Sequence, residues 1–152
     1  MISLIIRQMS EQDTPRVYSI ILRSLDEYYS PDVLSYFLGH WPKGQLVACT
    51  FSGKIVGFIC GSHLGSDRVS ISLFAVEDES RGQGIGSKLL TFLKINASME
   101  GAHTVELEVR RENVDVIKFY KSRGFIVSEV LPSFYNNGGD AIRMIGPTIE
   151  NS

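Results

Sequence analysis

From Arg81 to Gly86 the chain reads Arg81-Gly82-Gln83-Gly84-Ile85-Gly86, and no other segment limits its folding so strictly. Glycines at alternate positions neither prolong a strand nor sit well inside a helix, so the chain must turn here. The flanks differ in kind. Val69 to Val76 is a strongly β-favouring run, whereas Leu89, Leu90, Leu93 and Ala97 recur at helical spacing towards a stop near Gly101. The segment is therefore a strand-to-helix turn. Small residues in such a turn let backbone N–H groups face an anion, and the helix start adds roughly half a positive charge. Two familiar phosphate loops do not fit. A Walker loop ends in Gly-Lys-Ser/Thr, but Gly86 is followed by Ser87-Lys88. A dinucleotide fingerprint needs a glycine three residues on, where Gly82 meets Ile85 and Gly84 meets Ser87. On the turn alone, an anion site and a tight packing turn both stand.

The remaining elements follow from periodicity and punctuation. Ile2 to Arg7 reads as a first strand. Thr14-Pro15 opens a helix, with Thr14 as its cap and Val17, Ile20, Ile21 and Ser24 at helical spacing. Ser30-Pro31 opens another, carrying Val33, Leu34, Phe37 and Leu38, and Gly39 to Gly44 breaks it. Leu46 to Phe51 and Ile55 to Ser62 form a hairpin about Ser52-Gly53-Lys54. Thr104 to Arg110 alternates: Val105, Leu107 and Val109 point one way, Glu106, Glu108 and Arg110 the other. A short helix from Asn113 to Arg123 ends at Gly124, and Phe125 to Leu131 and Ala141 to Ile145 are closing strands. The order β-α-α-β-β-β-α-β-α-β-β predicts a mixed α/β (α+β) fold in one domain spanning 1–152.

Composition narrows the function classes. A net charge of −2 and a pI near 5.9 argue against a broad basic footprint for nucleic acid. The apolar start, Met1 to Ile6, is too short for a signal peptide or a membrane span, so a cytoplasmic protein with no membrane contact is expected. The hairpin places Cys49 near Gly57 and Cys60 near Leu46, out of reach of each other. Both are expected to be buried small hydrophobes, with no disulfide and no metal pair.

The spacing Arg81-x-x-Gly84-x-Gly86 resembles the acetyl-CoA turn of the GNAT family of N-acetyltransferases. Ser72-Leu73-Phe74-Ala75-Val76 is similar to that family's splayed fourth strand. The segment Asn113 to Phe125 is similar to its second signature, Asn-x₃-Ile-x-[Phe/Leu]-Tyr-x₃-Gly-Phe, met here by Asn113, Ile117, Phe119, Tyr120, Gly124 and Phe125. The two motifs stand in the family's order, and the likeness covers nearly the whole chain. It implies a GNAT fold: a seven-stranded, mostly antiparallel sheet, flanked by helices and splayed between strands 4 and 5. It implies acetyl-CoA as cosubstrate, its arm pairing with the backbone of Phe74, Ala75 and Val76. The pyrophosphate then falls on the amides of Arg81, Gly82, Gln83, Gly84, Ile85 and Gly86, with Asn113 contacting the arm. The acidic run Glu77-Asp78-Glu79 beside this site is expected to face solvent.

The resemblance also implies catalytic groups. Leu107-Glu108-Val109-Arg110 is similar to the Leu-Glu-Val-Arg of RimI-type enzymes, which makes Glu108 the candidate base, with Glu106 as fallback. Tyr120 aligns with the family tyrosine that protonates the departing thiolate, and it adjoins the cofactor arm. From spacing alone, Glu108 reads as a solvated strand residue and Tyr120 as a core aromatic. Leu25-Asp26-Glu27-Tyr28-Tyr29, with His40-Trp41-Pro42, resembles the first two helices of NatA-type catalytic subunits. That likeness implies Glu27, Tyr28 and Tyr29 at a peptide entrance and allows an auxiliary subunit. Ser133 to Ala141 is similar to the family's Tyr-Tyr-Ala-Asp-Gly-Glu-Asp-Ala loop, placing Phe134 and Tyr135 over the substrate. Phe134 departs from the pattern by one missing hydroxyl.

Chemistry favours an α-amine as acceptor. With a pKa near 8, roughly a tenth of α-amines are neutral at pH 7, against about one lysine in two thousand. The likeness of the 25–29 and 133–141 segments implies protein or peptide N-termini as the substrates. Internal lysines or small-molecule amines are the alternative, and an acyl-CoA-binding module without turnover is the remaining one.

Overall fold

A computed structural model describes residues 3–149 of the chain. Seven strands form one sheet: β1 (Leu4–Gln8), β2 (Gln45–Thr50), β3 (Ile55–His63), β4 (Arg68–Val76), β5 (Thr104–Arg110), β6 (Ile126–Leu131) and β7 (Ala141–Pro147). Four helices flank it: α1 (Thr14–Ser24), α2 (Val33–His40), α3 (Ile85–Met99) and α4 (Val114–Lys121). The strand order is β1-β2-β3-β4-β5-β7-β6, antiparallel throughout except for the parallel pair β4–β5. The expected mixed α/β fold with a mostly antiparallel seven-stranded sheet is the one found.

The sheet has a core on each face. On one, Leu89, Leu90, Leu93 and Ala97 of α3 and Tyr120 of α4 pack on Ile59, Val69, Val105, Leu107, Val109 and Met144. On the other, Val17, Ile20 and Ile21 of α1 and Leu34 and Phe37 of α2 pack on Val47, Phe58, Cys60, Leu73 and Ala75. Among the described residues the α1–α2 layer contributes no contact of this kind to β5, β6 or β7. The second face of those strands is therefore a floor rather than a core. Among the described residues no helix is long and apolar enough to cross a membrane.

The parallel pairing of β4 with β5 covers only Arg68–Ser70 against Thr104–Glu106. The cause is local. Opposite β3, Cys60 pairs with Leu73 and Gly61 with Ile71, so Ser72 is an extra residue in β4. This bulge changes the phase of the strand. Before it, Val69 and Ile71 face α3; after it, Leu73 and Ala75 face α1 and α2. Bulges increase local twist and end pairing, and β4 leaves β5 at this point. Beyond Ser70 its edge on that side is open. Alternation in the sequence did not reveal the extra residue, because Ser72 continues the regular pattern Val69-Ser70-Ile71-Ser72-Leu73.

Several local expectations are corrected. Thr14 is the first residue of α1 rather than its cap: Glu11–Asp13 form a short 3-10 turn, and Thr14 Oγ1 bonds the Glu11 carbonyl at 2.8 Å. The start at Ser30-Pro31 is a turn, and α2 begins at Val33. The β2–β3 register lies one residue from the expected one, with Ala48 opposite Gly57 and Gln45 opposite Cys60. Cys49 and Cys60 are nonetheless free and buried. Ile2, expected in the first strand, lies outside the described residues. Glu77 does not face solvent: it accepts from Arg16 and Ser80 and pairs with Lys54 at 3.4 Å. Although burial pushes the other way, these partners hold its carboxyl below the ordinary glutamate range. Asp78 and Glu79 are exposed, as expected.

Candidate active site

The open edge of β4 leads to a surface made of backbone. After Val76 the chain makes one 3-10 turn, Asp78–Ser80, and then runs through Arg81 to the start of α3. Gly82 and Gly84 both hold φ of +80°, the left-handed region in which a side chain is strained. Lys88 is the first residue of the turn whose N–H finds the helix ladder, on the Gly84 carbonyl at 3.1 Å. Among the described residues the N–H groups of residues 82–87 have no protein acceptor. They form one end of a 15-residue helix, where an anion is favoured. Arg81 Nε binds the Val76 carbonyl at 3.0 Å, and its guanidinium pairs with Asp78 at 2.6 Å. Its side chain thus braces the turn.

Phe74, Gly86 and α4 meet beside this surface. A Cβ built on Gly86 would touch Phe74 at 3.5 Å and Phe119 at 3.8 Å. Aromatic edges continue inward, from Phe74 to Phe119, then Tyr120, then Phe125, with centroids 6.4, 5.2 and 5.2 Å apart. Tyr120 is buried, and burial raises its phenol far above the ordinary tyrosine range despite the opposing pull of Arg123. It stays protonated at any physiological pH. Asn113, exposed at the start of α4, caps that helix by accepting from the Val116 N–H at 3.4 Å.

On the other face of β5 the surface is made of side chains. Glu108 lies opposite Arg143 of β7 and accepts from its Nε at 3.0 Å, while the same guanidinium also pairs with Glu129. Glu106 is held by Arg68 at 2.8 Å, closer to the paired stretch. Two residues beyond Glu108, Arg110 ends the strand with its guanidinium among groups from distant segments. Nη2 donates to Glu27 at 3.0 Å and Nη1 to Asn137 at 3.2 Å, and the group stacks 4.2 Å over the Tyr135 ring. Asn136 donates to the other Glu27 oxygen at 3.1 Å. Tyr29 is held through its carbonyl by the Tyr18 hydroxyl at 2.8 Å. Burial raises the Tyr135 phenol to about 12, with Arg110 opposing and Glu108, Tyr29 and Asp26 adding to the rise. Burial likewise raises Tyr29, helped by Glu27 and Asp26.

The expected residues thus fall into two groups. Phe74, Ala75, Val76 and Arg81 to Gly86 belong to the open edge and its neighbouring turn, while Tyr120 lies buried behind Phe119 in the core on that side. Glu27, Tyr29, Tyr135 and Glu108 converge across the floor. Tyr28 does not join them, being 76% exposed. Phe134 meets the Tyr135 ring at 5.1 Å, edge-on. Sequence reasoning noticed Arg110 as a member of a strand face and of the Leu-Glu-Val-Arg motif, and assigned it no role. Its position two residues after Glu108 was the available signal, but its partners lie 83 and 27 residues away and leave no local trace.

Residues 14–125 match the model of the acetyltransferase (GNAT) family. The chain is 34% identical over 139 residues to N-alpha-acetyltransferase 30 of Schizosaccharomyces pombe, covering 90% of this chain and 93% of that one. The crystal structure of Ard1 from Thermoplasma volcanium superposes with a TM-score of 0.93 at 34% identity, covering 98% of this chain and all of that one. A chain of the NatC complex, solved bound to Gag peptide and CoA, superposes at 0.87 with 29% identity, covering 95% and 98%. With the family model covering most of its length, and the splayed sheet and amide-lined turn in place, the chain belongs to the GNAT acetyltransferase family.

Proposed function

We propose that this protein moves the acetyl group of acetyl-CoA to the α-amine of a protein or peptide N-terminus, with Glu108 as base and Tyr120 as acid. One observation carries the reading. Glu108 stands on the floor side of β5 and Tyr120 on the α3–α4 side, and the open edge past Ser70 joins the two faces. An amine arriving over the floor and a thioester arriving along β4 can therefore meet in that gap.

The residues present suit the cosubstrate. The open edge of β4 offers strand-type hydrogen bonds to an extended amide arm, and the amides of residues 82–87 suit a pyrophosphate. Acetyl-CoA supplies an activated acyl group. Glu108 receives the ammonium proton, through a water, so that the amine attacks in its neutral form. Tyr120, kept neutral by burial, has the proton that the departing sulfur needs. Glu27, Tyr29, Phe134 and Tyr135 form the entrance for the peptide chain. The N-alpha-acetyltransferase relative supports an α-amine acceptor. The likeness to a chain solved within the NatC complex supports an auxiliary subunit.

The test is a panel of short peptides beginning with Ser or Met, incubated with acetyl-CoA and read by mass spectrometry. Acetylation of the free α-amine is expected. Modification confined to the lysine of an N-terminally blocked peptide would overturn the proposal in favour of lysine transfer. Tight CoA binding without any transfer would leave a binding module.

A further inference from the structure

Two loops, with no backbone hydrogen bond between them among the described residues, form the walls of the proposed peptide entrance. One is 25–32, between α1 and α2; the other is 132–140, between β6 and β7. Arg110 touches both. Its guanidinium binds Glu27 on the first and Asn137 on the second, and stacks on Tyr135. Its Nε is buried and lies 2.9 Å from Asp26 Oδ2, close enough for an ion pair but out of line for a hydrogen bond. Glu27 completes the bridge by accepting from Asn136. Gly139 leaves room for it, since a Cβ there would stand 2.6 Å from Arg110 Nη1. The Arg110 side chain is only 16% exposed, so these contacts are shielded in a way surface pairs are not.

One consequence concerns Glu27. Both of its carboxylate oxygens are already engaged, one by Arg110 and one by Asn136. It serves the entrance by holding the loops together rather than by presenting a free charge.

We propose that Arg110 is a positioning residue for the acceptor peptide. It clasps the 25–32 loop to the 132–140 loop and so fixes the separation of Tyr29 and Tyr135, the aromatic walls. This rests on the N-terminal acetyltransferase reading given above. The clasp needs a flat fork: one guanidinium must reach two acceptors on different loops while its plane lies on a ring, and an ammonium cannot do this. Arg110 touches no reacting atom, so its loss falls on peptide capture and not on the chemical step.

The test uses the full chain with steady-state kinetics in both substrates. Arg110→Gln is expected to raise the peptide KM about tenfold or more, leaving kcat within about threefold and the acetyl-CoA KM unchanged. Arg110→Lys should not restore the peptide KM. Asn136→Ala, at an exposed position, should raise it by a smaller factor, and Arg110→Gln combined with Asn136→Ala should cost less than the product of the two. A fall in kcat at unchanged peptide KM, full rescue by lysine, or multiplicative effects would each overturn the clasp. Hydrogen exchange separates this proposal from the activity it rests on. The amides of Tyr135 and Gly138, hydrogen-bonded within their loop, should exchange faster in Arg110→Gln. Unchanged exchange overturns the clasp even if the wild-type chain acetylates no peptide, and such inactivity would count against the activity alone.

Discussion

The two ends of the cleft are built from different materials. At the β4–α3 end the proposed binding surface is backbone: a strand edge without a β5 partner beyond Ser70, two glycines at positive φ and, among the described residues, a row of amides without protein acceptors. At the end proposed for the peptide it is side chain: Arg110, Glu27, Asn136, Asn137 and Tyr135, drawn from three segments and held by charge-assisted bonds. The first kind of surface tolerates a change of side chain and fails when the backbone is strained. The second survives backbone adjustment and fails when one partner of a network is lost. A cosubstrate that never varies suits the first, whereas an acceptor peptide suits the second, which can be retuned one side chain at a time.

Substitutions can sharpen or break this contrast. The largest effect is expected at the junction of the two ends, where Glu108→Gln and Tyr120→Phe should each lower kcat by about 10²- to 10⁴-fold with acetyl-CoA affinity retained. Rapid-quench or steady-state assays with a saturating peptide would show it, and wild-type kcat in either variant removes that residue from the chemistry. Next comes Gly84→Val. Nothing stands within 4 Å of the added Cβ, so the cost is the left-handed backbone, about 1–2 kcal/mol. The acetyl-CoA KM should rise about five- to thirtyfold with the peptide KM unmoved. Equal rises in both constants would erase the distinction between the ends.

A smaller change is expected from Phe134→Tyr. The ring is 46% exposed beside Tyr135, and a hydroxyl there offers the peptide one further bond. The peptide KM should fall by about two- to tenfold, as one net hydrogen bond allows. An unchanged KM would place Phe134 outside the entrance. The mildest prediction is a slope. In the unfolded chain a tyrosine loses its proton near pH 10, but burial holds Tyr120 above that and Tyr135 at about 12. The folded state thus binds more protons above pH 10, and stability must fall as pH rises through that interval. Melting temperatures should drop steadily above pH 10, less steeply in Tyr120→Phe. An identical slope in that variant would mean that Tyr120 is less buried than described.

The same division explains what could be read from the sequence. Backbone surfaces leave a local signature, because only glycine permits certain angles: the turn from Arg81 to Gly86 was legible from composition and spacing. The strands were legible from alternation, and α3 from its leucines. The bulge at Ser72 was not, since one extra residue changes phase without changing composition. Glu77 was misjudged because its partners, Arg16 and Lys54, come from other elements. Arg110 was given no role for a like reason. Tyr28 was expected at the entrance from the likeness of residues 25–29 to NatA-type subunits, a likeness that does not fix where each ring points, and Tyr28 is exposed.

The extra serine in β4 has a further meaning. In a crystal, one surplus unit in a row makes a dislocation, and the lattice opens along it without any bond being broken elsewhere. The sheet behaves in the same way: β3 stays paired with β4 on both sides of Ser72, and the misfit is displaced entirely into the gap towards β5. The fissure is a permanent consequence of counting, not a door. Its width is set when the chain folds, so neither substrate must spend binding energy on prying the strands apart.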